Sequence, residues 1–386
     1  MRYAILILGL LVVACTPTTE TVGVRDAQNQ FSEGWDKDKA AEWLDARADW
    51  WLHAERTQRV TDEQGSVACF GCHTVHTYTF VRADLAPGTG SVPHIMNTIA
   101  RRLAAGVNVP PWNVKPEGRE QQSRGSEAIN AALLLAYQEA RSGAAQPSDR
   151  LLTAFDRLWH WQRLDGGWDW FNFSFEPLAT IEAQHFAACQ AAIAVGIAPG
   201  YYSDDSASPE LRRHVEMLRT WVHNSRNKEN LFGEAWLLRA STKLSGLLEP
   251  GERTEIVERL LEKQVTEGED SGAWMLYNLN RWKYSQSAPP AIPRDLLPEA
   301  RKPDPYSTGM ISAILMDYGV PVDHPSIITA IAWLKAHQQD DGSWRAYSIN
   351  KIRDKDDIAY LFMSDEATAW AALALLEFER RGGKGV

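Results

Sequence analysis

Cysteine is scarce in this chain: there are four in 386 residues, Cys15, Cys69, Cys72 and Cys189. No second Cys/His pair matches the spacing of the first, so the four ligands of a structural zinc site are not assembled. Positive charge is also in deficit. The formal net charge is −10, which argues against nucleic acid, because that partner demands a basic surface. Runs of like charge that would mark a solvated tail are absent, and so are convincing alternating strands. What is abundant is apolar and aromatic. The chain is 44% hydrophobic and has sixteen tryptophans, enough for a substantial core.

An apolar run opens the chain: "MRYAILILGLLVVACTP". Arg2 supplies a positive start, Tyr3 to Val13 the apolar stretch, and Ala14 a small residue before Cys15. The run is too short to span a membrane as a mature helix, so 1–14 reads as an export signal. "LVVAC" resembles the lipobox of bacterial lipoproteins. That resemblance implies cleavage before Cys15, lipidation of its thiol, and a periplasm-facing protein anchored at the outer membrane. A buried amphipathic start is the alternative. Residues 15–35 are polar and turn-rich and read as a flexible tether, which leaves 36–386 as one domain. With Cys15 lipidated, three cysteines remain, and an odd number cannot all pair within one chain.

From there the pattern is helical, with apolar residues at helical spacing between Pro, Gly and Asp-Gly breaks. A repeat shows best in "LWHWQRLDGGWDW" (158–170) and "LKAHQQDDGSWRAY" (334–347), where Gln162, Asp165, Gly166 and Trp168 align with Gln338, Asp341, Gly342 and Trp344. A looser copy runs from Gln264 to Trp274. A Glu-Ala pair recurs near the start of the following apolar helices, at Glu127, Glu182, Glu234 and Glu366, in steps of about 50–65 residues. Polar helices ending near Gln58, Gly106, Gln162, Arg226, Gln264 and Gln339 alternate with apolar ones starting near Cys69, Ser126, Ile181, Gly233, Tyr306 and Asp365. The apolar set is Ala- and Leu-rich on nearly all sides and predicts buried helices. Six such pairs predict an all-α fold, an (α/α)6 toroid of outer and inner helices. An open solenoid carries the same signature but normally needs capping repeats.

The "QxxDGxW" turns resemble the repeat of the squalene cyclase and prenyltransferase-subunit superfamily, which implies the toroidal fold over residues 38–383. "CFGCHTVHTYTFVRADL", "SRGSEAINAALLLA" and "AIAVGIAPGYY" are also similar to bacterial squalene-cyclase-like proteins with an N-terminal Cys-x-x-Cys-His. The cyclase chemistry that the superfamily implies needs an Asp-x-Asp-Asp acid directly before the "TA" of an inner helix. Here "SDEA", Ser364 to Ala367, precedes Thr368-Ala369. The string Asp354, Asp356, Asp357 lies ten residues early among Lys351, Arg353 and Lys355, and reads as a solvated charge run. Terpenoid-cyclase or polysaccharide-acting chemistry is therefore the third reading.

Cys69-Phe70-Gly71-Cys72-His73 has the spacing of covalent c-type haem attachment. Two thiols three residues apart reach both vinyl groups, and His73 offers a nitrogen to the iron. A Cys69–Cys72 disulfide, structural or redox-active, is the competing reading. His73 stands about one period before Glu127, so the motif takes the place in the first inner helix that the glutamates hold in later ones. Parallel inner helices would gather these starts at one mouth, with haem rimmed by Glu127, Glu182, Glu234 and Glu366. Alternatively, each glutamate complements the helix dipole or caps free amides. His185 and Met96 are the candidate sixth ligands, with His94 behind them; methionine would raise the potential. Glu182 with His185 is the candidate catalytic pair, and Glu127, Glu234 and Glu366 are the other candidate acids. Arg124 is placed to meet a propionate or an N-terminal carboxylate, and Cys189 reads as a small buried hydrophobe. The expected function is a membrane-anchored haem c protein in electron transfer or redox chemistry with an unidentified partner or apolar ligand. A haem-free binding scaffold is the rival.

Overall fold

Helix boundaries follow local chemistry closely. Asp36 caps α1 (Lys37–His53) by accepting from the Lys39 amide at 2.9 Å. Ser148 and Ser208 cap α5 (Asp149–His160) and α7 (Pro209–Ser225), and Asn230 caps α8 (Leu231–Ser241). Glu249 and Glu252 form a reciprocal capping box on α9 (Pro250–Glu262). Proline occupies the first position of α7, α9, α10 (Pro305–Tyr318) and α11 (Pro325–Ala336), where its missing N–H is no loss. The remaining helices are α2 (His76–Leu85), α3 (Val92–Ala104), α4 (Arg119–Ser142), α6 (Ala183–Ile197) and α12 (Phe362–Arg380). The computed structural model describes residues 34–383 apart from 64, 71–72, 115–116, 174–176, 281–300 and 347–357. The expected signal, the expected tether up to residue 33, Cys15, Cys72 and the Asp354 cluster lie outside the described residues, whereas Trp35, at the end of that tether, donates to Glu379 and packs on Trp344.

The chain is mostly helical, as expected. Odd-numbered helices bury one stripe, whereas α4, α6, α8, α10 and α12 are buried over most of their surface. The buried series packs in succession, α2 on α4, α4 on α6, α6 on α8, α8 on α10 and α10 on α12, and α12 returns to pack on α2. No described helix is long and apolar enough to cross a membrane.

The tryptophan turns stitch the odd-numbered helices together. In each of the three copies the glutamine amide donates to its own turn and to the next helix in the series. Gln162 reaches Gly166 O and His214 O, Gln264 reaches Gly272 O and Ser326 O, and Gln338 reaches Gly342 O and Asp36 O. The indoles of Trp168, Trp274 and Trp344 are fully buried and donate back to the carbonyls of Leu158, Leu260 and Leu334 at 2.7–2.8 Å. Glycine is required at the contact. Gly166, Gly272 and Gly342 have φ of 97°, 99° and 84°, and an added Cβ would fall 2.1–2.4 Å from backbone of Met217, Thr329 and Lys39. The third stitch joins the last turn to the first helix.

Three boundaries differ from the sequence reading. A two-stranded antiparallel hairpin, β1 (Gln58–Asp62) and β2 (Gly65–Ala68), fills the space between α1 and α2, although no strand was expected. Its strands are short and Val60 points to solvent at 65% exposure, so the alternation that marks a half-buried strand is missing. The first buried helix begins at His76 and not near Cys69, because the hairpin holds Cys69 extended. Helix α4 begins at Arg119, ahead of Ser126, because its polar first turns carry no apolar signal.

Candidate functional site

The described residues on either side of Cys72 are each anchored. The Cys69 amide donates to Thr57 O at 3.0 Å, and the Trp51 indole donates to Cys69 O. Phe70 is buried with its ring perpendicular to Trp112 at 6.0 Å. On the far side, the Thr74 hydroxyl donates to Asp365 Oδ2 at 2.6 Å. Asp365 is itself gripped by Arg47, Nε to Oδ1 at 2.7 Å and Nη2 to Oδ2 at 2.8 Å. The loop that presents His73 is thus pinned to α12 and, through Asp365, to α1.

His73 keeps 34% of its side chain exposed and lies parallel to Phe362 at 6.1 Å and 14°. Its Nδ1 is 3.8 Å from Oε1 of the buried Glu366. Burial pushes the Glu366 carboxyl up to about 8, against the polar pull of Thr77 and Trp370 and with the Asp365 charge adding to the rise. One turn along α2, His76 is held neutral: burial, then Arg239 and His73, lowers it to about 3. Its Nε2 has no hydrogen-bond partner among the described residues.

Aromatic side chains continue the site, and α8 thereby meets α4 and α12, which are not its neighbours in the packing series. His76 meets Phe80 at 4.8 Å and Phe80 meets Tyr137 at 4.3 Å. Arg239 of α8 donates to the Tyr137 hydroxyl of α4 and lies 4.9 Å from the Trp370 ring of α12. Trp236 packs edge-on to Trp370 at 5.6 Å and to Phe186 at 4.7 Å, and Trp170 follows at 5.7 Å from Phe186. Asn130 shares a helix face with Tyr137, and Gln190 with Phe186. Asn130, Gln190 and Trp236 each bury a polar atom with no partner among the described residues.

The four glutamates are not equivalent. Glu127 lies in the third turn of α4, where Arg102 binds it through Nε at 2.9 Å and through Nη2, and Arg157 approaches at 3.3 Å. Glu234 is gripped by Arg226 at 2.8 and 2.7 Å. Glu182 is half-buried just before α6. Only Glu366 is brought against the histidine of the motif, and among the described residues no arginine or lysine pairs with it. The sequence did not separate these roles. Arg102 and Arg157 lie 25 and 30 positions from Glu127, and Asp365 lies 318 positions from Arg47.

The other candidates are dispersed. His185 hydrogen-bonds Ser225 at the end of α7 through Nδ1 at 2.9 Å, its Nε2 has no partner among the described residues, and burial lowers it to about 4. Met96 and His94 sit on α3, with His94 exposed and edge-on to His53 at 5.7 Å. Arg124 binds Val107 O, Val109 O and Glu120, the structural role weighed for it. Cys189 is fully buried, which pushes its thiol up. Among the described residues no group of three or more His, Cys, Asp or Glu is arranged to hold a metal ion. Arg47, Phe362, Tyr137 and Arg239 were missed from the sequence; a lone arginine amid "ARADWW" was the one visible signal.

The comparisons add no relative: no family model matches this chain, and no curated protein does.

Proposed function

We propose that this chain is an exported lipoprotein whose helices form an (α/α)6 toroid with one covalent haem c at its mouth. Cys69 and Cys72 would hold the porphyrin and His73 the iron. The toroid rests on the packing succession that returns from α12 to α2 and on the last tryptophan turn docking on α1. The haem reading is carried by one observation. The histidine of the Cys-x-x-Cys-His is one-third exposed, stacked on Phe362, and faces a buried carboxylate through Nδ1. That fits a haem ligand, whose second nitrogen is normally oriented by an acceptor.

A haem bound there supplies a one-electron couple. The chain's own residues do the rest. Arg47, Asp365 and Thr74 fix the turn before α2, and Phe362 sets the imidazole plane. Trp170, Phe186, Trp236 and Trp370 give an apolar ligand flat surfaces, while Asn130, Gln190 and Trp236 offer its polar end hydrogen bonds. For the sixth ligand the candidates are His185, bonded to Ser225 at the end of α7, and Met96 on α3. Lipid on Cys15 would hold the protein to the membrane at ~0.8 kcal/mol per buried methylene. A redox partner or an apolar ligand then exchanges electrons at the mouth.

The test is a pyridine haemochrome spectrum of protein from a host that matures c-type cytochromes. One haem per chain is expected, and a Cys69→Ser, Cys72→Ser double variant should be colourless. A colourless wild type with its two thiols joined would leave a haem-free scaffold.

A further inference from the structure

We propose that Glu366 is a positioning residue for His73: it accepts a hydrogen bond from Nδ1–H, so that Nε2 is the nitrogen presented to iron. The inference rests on the haem reading above and deepens it, naming Glu366 as the acceptor and Nε2 as the nitrogen left for iron.

Glu366 differs from every other carboxylate in its class. Glu127, Glu234 and Asp365 are buried to a similar degree, and each is neutralised by an arginine contributed by an odd-numbered helix or the loop after one. Those three are built into the packing between helices. Glu366 has no such cation among the described residues, yet its side chain is only 7% exposed. In place of a counter-charge it accepts hydrogen bonds from Thr77 and Trp370, and a carboxyl has acceptor capacity beyond those two. The His73 imidazole stands beside these donors, with Nδ1 3.8 Å from Oε1.

The geometry is prepared on both partners. Phe362 stands one turn before Glu366 on α12 and stacks on the imidazole, which leaves rotation of the ring edge as its main freedom. Thr74, the next residue after His73, is tied to Asp365, the residue before Glu366. Two adjacent pairs, 73–74 and 365–366, are therefore held in register by the Thr74–Asp365 bond. The carboxyl has an acceptor oxygen whether ionised or protonated, so the role does not depend on its charge. A closing movement of less than 1 Å brings the contact into hydrogen-bond range. Ligand histidines are fixed in tautomer and made more basic by such acceptors.

The test compares Glu366→Gln, Glu366→Asp and, as control, Glu234→Gln in the haem-loaded protein. Glu366→Gln should move the haem midpoint potential upward, because a weaker acceptor on Nδ1 makes a less electron-rich ligand. Glu366→Asp should restore part of the shift. Glu234→Gln should lower stability and leave the potential in place. In parallel, histidine ¹⁵N spectra of the protein as isolated should show His73 protonated at Nδ1 in the wild type and a changed tautomer balance in Glu366→Gln. An unchanged potential together with an unchanged His73 spectrum overturns the assignment. A wild type that carries no haem defeats the haem reading instead, and the ¹⁵N comparison still decides whether the pair exists.

Discussion

The Arg47–Asp365 pair offers the sharpest measurement. Both side chains are almost fully desolvated, at 6% and 0% exposure, and two parallel hydrogen bonds join them, with Thr74 as a third partner on the carboxylate. Removing one member of such a pair leaves the other charge buried. Asp365→Ala should therefore cost about 3–5 kcal/mol, and Arg47→Met a similar amount. The double variant Arg47→Met, Asp365→Leu buries no charge and should cost clearly less than the two single losses added together. The difference, the coupling energy, should come out on the order of 1–3 kcal/mol. Urea unfolding followed by far-UV circular dichroism gives all four corners of the cycle, provided the slope against denaturant stays constant. Single variants within 1 kcal/mol of wild type would refute the reasoning. So would strict additivity, since it would mean that the carboxylate and guanidinium do not feel each other.

Two further outcomes follow from local geometry. Burial raises Asp304, the N-cap of α10, to about 6 despite bonds from Ser307 and Leu276. An acid raised on folding favours the native state most at low pH. Its contribution is lost as pH climbs from its unfolded value near 3.8 through 6, a swing of about 3 kcal/mol. Asp304→Asn keeps a good cap without the charge, so its stability relative to wild type should improve between pH 4 and pH 8, as read from unfolding midpoints; a difference independent of pH would contradict this. Gly342→Ala combines a left-handed backbone with a Cβ 2.3 Å from the Lys39 carbonyl carbon, whereas Gly319→Ala meets open space. The first should cost well over, and the second close to, about 1 kcal/mol in thermal or urea unfolding; equal losses would show that the turn yields.

Much of the helical order was legible because it is written locally. Caps, proline at first positions, and the Gln–Gly–Trp spacing all act over a few residues, so 162–168 and 338–344 announced their turns. The site was less legible. Four glutamates at similar register became two arginine-bound braces, one half-exposed residue, and one inward acid, and only partners from distant helices distinguish them. The repeat suggested that His73 and Glu366 stand at equivalent positions, but it could not say that they face each other. The hairpin escaped because β1 and β2 bury too little to imprint a period on the sequence.

The stitch from Gln338 and Gly342 to Asp36 and Lys39, with Lys37 bound to Glu379, holds the first and last described helices together. Joining points some 300 residues apart carries a loop-closure cost of about 5 kcal/mol, which a linear stack of the same helices would never meet. Once that junction forms, where synthesis happened to start has little bearing on the geometry. A permuted gene, opened at another of the tryptophan turns and sealed across residues 34–383, would enclose the same histidine and carboxylate.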